Sequence, residues 1–97
     1  MEYLILRSFF CEKSNTFIQH NVYSGDKQNC LEVFDFYTEI AEANKVFFVN
    51  EEIVGQTIVR EFATIKKGYV YSLIFVAKNN IISFISTKPQ SNEQNKS

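Results

Sequence analysis

The sequence is poor in the residues that most often build reactive sites. Its 97 residues include one histidine, two cysteines, three glycines, one proline and no tryptophan. A structural zinc site takes about four nitrogen or sulfur ligands. His20, Cys11 and Cys30 supply three at most, so no metal is expected. The cysteines lack C-x-x-C spacing, and in a small chain from a reducing compartment they read as thiols rather than a disulfide. Cys30 lies near the start of a helix, where a thiolate is favoured. It also falls on that helix's apolar arc, which makes it a buried structural thiol. Three glycines are too few for a backbone cradle around phosphates, and neither G-x-S-x-G nor H-E-x-x-H occurs. His20 lies mid-strand between Gln19 and Asn21, and a base needs a partner to orient it. Glu61 is one candidate whose position the sequence leaves open. No catalytic residue and no cofactor is assigned.

Charge of one sign is also lacking. Ten basic residues face eleven acidic ones, a net charge of −1. A dedicated nucleic-acid binder carries a basic excess or stripe, so no direct nucleic-acid partner is expected. No stretch approaches the roughly 18 uninterrupted apolar residues of a membrane span. The start, Met1 to Arg7, has an acid at position 2 and a short apolar run, unlike a signal peptide. A cytoplasmic protein without membrane contact is expected.

What the chain does have is apolar mass: 45% hydrophobic residues, with ten Phe and five Tyr. That suffices for one core without disulfide or metal. Residues 1–87 are read as a single globular domain. Residues 88–97 hold no apolar residue beyond Pro89 and are read as a disordered tail.

Residues 3–10 and 16–23 are rich in β-branched and aromatic residues and read as strands about a polar loop. Ser24-Gly25-Asp26 is turn chemistry. A helix is predicted over 30–44, capped by Asn29 with Glu32 three residues on, close to a capping box. At about 100° per residue, Cys30, Val33, Phe34, Tyr37, Ile40 and Ala41 share one arc that would lie on a sheet. Val46 to Val49 reads as a short strand, Asn50-Glu51-Glu52 as a polar turn, and 53–66 as a long strand bent at Gly55. Residues 69–78 are apolar at odd and even positions, the pattern of a central strand covered on both faces. Asn79-Asn80 reads as a two-residue hairpin turn leading to a strand from Ile81 to Thr87. The fold class is α+β, one amphipathic helix packed on an antiparallel sheet, in the order β-β-α-β-β-β-β.

Two charge patterns follow. Arg60, Lys66, Lys67 and Lys78, with Tyr69 and Tyr71, surround the central hairpins. An antiparallel C-terminal half bearing such residues resembles small RNA-cleaving toxins of the RelE type. That resemblance implies a ribonuclease acting through basic strand residues, although those toxins are clearly basic and this chain is not.

The helix carries the second pattern. Glu32, Asp35, Glu39 and Glu42 are spaced by 3, 4 and 3 residues, within roughly 80° of one another. Residues 28–59 hold six acids against Lys45 alone, a local charge of −5 that leaves +4 for the rest. Like charges at such spacing repel by a few tenths of a kcal/mol per pair. Capping accounts for Glu32 and the helix dipole favours acids in the first turn, but Glu42, near the C-terminus, gains nothing from it.

The length, the α+β layout and the acids Glu32, Asp35, Glu39, Glu42, Glu51 and Glu52 are similar to those of small immunity proteins from contact-dependent growth inhibition. The resemblance implies an inhibitor, not an enzyme, whose partner is a basic toxin domain such as a nuclease. Its carboxylates would cover the active site, with Phe36 and Leu31 beside the stripe as apolar anchors. Whether the chain is a monomer or a homodimer stays open.

Overall fold

The computed structural model describes residues 1–80. Five strands and one helix follow in the order β1 (Tyr3–Cys11), β2 (Thr16–Gly25), α1 (Lys27–Ala43), β3 (Phe47–Val54), β4 (Thr57–Thr64) and β5 (Gly68–Ala77). The expected α+β class is what forms, with every strand pair antiparallel and a sheet order β2-β1-β5-β4-β3. A β1–β2 hairpin and a β3-β4-β5 meander are joined where β5 pairs with β1. The helix connects the two edge strands, so it must cross one face of the sheet.

β5 is the central strand, as its two-sided apolar pattern requires, and Ser72 to Ala77 are all buried. β1 and β4 occupy its two edges. After β5 the chain makes a 3-10 turn over Lys78–Asn80, not the two-residue hairpin expected of Asn79-Asn80. The strand expected over Ile81 to Thr87 and the tail expected over 88–97 lie outside the described residues.

The middle of the chain departs most from expectation. Asn50-Glu51-Glu52 is not a turn but the middle of β3, and Gly55 does not bend a strand but ends one. Val54 pairs with Thr57 across Gly55-Gln56, and Gly55 takes φ +63°, a left-handed conformation that glycine adopts without a Cβ penalty. Weak local turn chemistry hid this tight hairpin. Its consequence is the register Glu51 opposite Arg60 and Glu52 opposite Val59.

The helix begins three residues earlier than expected. Asp26, not Asn29, is its N-cap: the Asn29 N–H donates to Asp26 Oδ1 at 2.8 Å. At the other end Val46 N–H donates to the Ala41 carbonyl and Lys45 N–H to that of Glu42. Lys45 holds φ +65°, so this is a Schellman closure with lysine where glycine is usual. It folds Val46 back onto the core and starts β3.

On the helix side of the sheet, Cys30, Phe34 and Ala41 pack on Tyr3, Ile5, Phe62, Leu73, Phe75 and Ala77. Phe34 is fully buried, its ring 5.9 Å from that of Phe75, which stacks at 5.0 Å on Tyr3. Burying one such ring stabilises the fold by about 2–3 kcal/mol. By strand alternation Leu4, Leu6, Val59, Ile74 and Val76 form a second buried cluster on the opposite face. The helical arc is rotated slightly from expectation: Ile40 is 41% exposed, whereas Thr38 is buried.

Candidate functional site: an acidic helix face locked to the sheet by Arg60

Glu32, Asp35, Phe36, Glu39 and Glu42 all project from the exposed side of α1. The corrected N-cap changes the meaning of Glu32. With Lys27 as the first helical residue, Glu32 lies in the second turn and takes no part in a capping box, and the first turn holds no acid. Neither capping nor the helix dipole therefore accounts for Glu32, Glu39 or Glu42. None of the three has an ion-pair or hydrogen-bond partner among the described residues. Phe36 stands 56% exposed on the same side, 40° around the helix from Glu32 at about 100° per residue. Leu31, on the opposite flank, is only half-buried and packs against the core cluster.

Asp35 behaves differently. Its Oδ1 accepts a hydrogen bond from Arg60 Nη1 at 2.8 Å, and Arg60 Nε donates to Glu51 Oε1 at 2.9 Å. The same Nη1 donates to Thr38 Oγ1 at 2.9 Å, and Thr38 in turn donates to the Phe34 carbonyl at 3.1 Å. The guanidinium lies 4.5 Å from the Phe34 ring centroid and 5.2 Å from that of Phe48. One arginine from β4 thus ties the helix to the edge strand β3, with its own side chain only 17% exposed.

Two of the expected interface acids, Asp35 and Glu51, are accordingly part-neutralised from within. Glu52, paired with Val59, points by alternation to the face away from the helix and does not join the stripe. Arg60 and Thr38 were missed as members of this site. The signal that could have revealed Arg60 was Gly55: reading it as a two-residue hairpin places Glu51 opposite Arg60 at once.

The other singled-out residues do not converge. His20 is exposed on edge strand β2, edge-on to Phe9 at 5.6 Å. Glu61 lies on β4, three strand spacings or about 14 Å away, and accepts from Asn50 instead. Arg60 is engaged by Asp35, Glu51 and Thr38, and Lys78 pairs with Glu2 at 3.3 Å, so of the basic residues around the hairpins only Lys66 and Lys67 come together, near Tyr71. Cys11 and Cys30 are both free thiols. Burial, with a smaller push from Asp26, raises the Cys30 thiol to about 11, which makes it unreactive at neutral pH. Hydrogen bonds from the Ser14 side chain and backbone lower the Cys11 thiol.

Among the described residues no group of three or more His, Cys, Asp or Glu is placed to hold a metal, and no helix is long and apolar enough to cross a membrane. Comparison with protein-family models, curated proteins and solved structures finds no match to this chain.

Proposed function

We propose that this chain is a protein-binding inhibitor that engages a basic partner through the outer face of α1, as a small immunity protein engages a toxin. The partner's chemistry is that of a nuclease domain, whose lysines and arginines hold phosphate and would pair with carboxylates instead. The observation that carries the reading is the set Glu32, Glu39 and Glu42. Their carboxylates are exposed, cap neither end of the helix and have no partner among the described residues, and exposed Phe36 stands beside them. Such a field steers a basic partner in, and an aromatic ring gives it a desolvated anchor.

The Arg60 tie supports this reading in a second way. It fixes the helix against β3 and β4, so the carboxylates are presented on a rigid seat with little ordering cost on binding. Glu51 and Asp35 form the margin of the surface, and Glu52 lies outside it.

The test is co-expression with a toxin whose catalytic part is a basic nuclease domain. Expression of the chain alone is expected to leave host growth normal, and co-expression to protect the host. The triple variant Glu32→Lys, Glu39→Lys, Glu42→Lys leaves the Arg60 tie intact and is expected to keep its fold and lose protection. Growth arrest by the chain alone, or undiminished protection by the triple variant, overturns the proposal.

A further inference from the structure

The side of the molecule past the C-terminal end of α1 has the opposite charge. A cleft of about 420 Å³ opens there between β1, the Val46 connection and the β4–β5 turn. Arg7, Lys66 and Lys67 line it together with Tyr71 and Thr64, and Val46 and Val70 complete its apolar wall. Of the chain's ten cations, three lie along this open, largely apolar depression.

None of the three has a carboxylate partner among the described residues. Arg7 is the informative one. Its guanidinium carbon lies 4.7 Å from the Tyr71 ring centroid and 5.5 Å from that of Phe9. Tyr71 is itself held by stacking on Phe62 at 5.0 Å. Exposed Arg7 thus has its guanidinium positioned by rings, while its five N–H donors find no acceptor among the described residues. Arg60 makes the contrast: it too sits over two rings, but its donors are used by Asp35, Glu51 and Thr38. A ring-positioned arginine with an unused fork, beside two more cations, is suited to a doubly charged oxyanion rather than to a single carboxylate.

We propose that this cleft binds a phosphorylated small ligand of about mononucleotide size, its phosphate held by Arg7 with Lys66 and Lys67 and its apolar part against Val46 and Val70. The volume falls within the roughly 300–1,000 Å³ range of small-ligand sites. Arg7 contributes the two-pronged contact that fixes orientation. The lysines on the turn supply charge without fixed geometry. The site lies apart from the carboxylates of the helix face and does not depend on the function proposed for them.

The test is titration of the full chain with adenosine monophosphate and with inorganic phosphate, followed by amide and arginine side-chain NMR shifts. Both probes are expected to shift Arg7 and residues 64–71, and adenosine and acetate to bind at least about tenfold more weakly. Arg7→Lys keeps the charge but loses the fork, and is expected to weaken phosphate binding about tenfold. Lys66→Gln with Lys67→Gln is expected to do the same and to flatten its salt dependence, whereas Lys13→Gln on the β1–β2 turn changes nothing. Circular dichroism of each variant establishes that the fold is retained. Saturation by neither probe at about 10 mM overturns the proposal, as does equal affinity in wild type and both cleft variants. Tight binding of a short single-stranded RNA that the monophosphate does not displace overturns it too, in favour of a polymer surface.

Discussion

Replacing Arg60 by methionine removes the tie between helix and edge strand while keeping most of the packed stem. Its ion pairs with Asp35, 63% exposed, and Glu51, 33% exposed, are screened by water and together contribute about 1 kcal/mol. The hydrogen bond to Thr38 is less exposed, and its loss leaves a buried hydroxyl with one unmet acceptor, a cost of about 1 kcal/mol. The contacts with the Phe34 and Phe48 rings add about 0.5–1 kcal/mol. These terms share one side chain and are not strictly additive, so the expected loss is about 2–3 kcal/mol. In a domain of this size that lowers Tm by roughly 10–15 °C.

Thermal and urea unfolding followed by far-UV circular dichroism measure this loss directly. Asp35→Asn is expected to cost well under half as much as Arg60→Met, because the better-buried contacts survive it. About 1 M salt should reduce the Asp35 contribution and leave the Thr38 and ring contributions in place. A loss below about 0.5 kcal/mol for Arg60→Met would refute the tie as a structural element. The same variant frees two carboxylates, so on the proposed function it should associate faster with a basic partner even though it is less stable.

The folded Cys30 thiol ionises at about 11 against about 9 in the unfolded chain. Its contribution is therefore complete below pH 9 and lost as pH rises toward 11. Burial raises Tyr69 and Tyr71 as well, so Cys30→Ala should reduce the alkaline loss of stability without abolishing it; an unchanged pH profile would count against this. A thiol reagent should label Cys11 in the native protein and Cys30 only after denaturation, with two equally fast reactions as the contrary result. Asp26→Ala should cost about 1 kcal/mol by removing the N-cap. Lys45→Gly should raise stability by up to about 1 kcal/mol by relieving the left-handed lysine, and equal unfolding midpoints for both variants and wild type would contradict the cap geometry.

What the sequence shows of this fold and what it hides divide along a physical line. Features set by neighbours a few residues apart were readable from the chain. The helix over Cys30 to Ala43 follows from a 3.6-residue apolar period, and β5 follows from an apolar run with no polar face. The outer stripe was readable too, since residues three and four apart must share a helix face. What failed was read from weak local signals. Asn29 and Glu32 imitate a capping box, yet Asp26 sits where the chain leaves β2 and wins the cap. Asn50-Glu51-Glu52 looks like a turn, yet pairing with β4 holds it extended.

The acidic stripe on α1 and its near-absence of lysines were thus determined by the sequence alone. Which of those acids are available to a partner was decided only by the tertiary structure. Arg60 is 25 residues from Asp35 and nine from Glu51, and no helical or strand period relates a residue on β4 to one on α1. The β3–β4 hairpin sets Glu51 opposite Arg60, but only the crossing of the helix over the sheet brings Asp35 to it, leaving Glu32, Glu39 and Glu42 exposed and without a partner among the described residues. The same holds for the cleft: Arg7 and Tyr71 lie at opposite ends of the described chain, and they meet because β5 pairs with β1. Local periodicity sets which side chains share a face, whereas long-range strand pairing sets which charges are already spoken for.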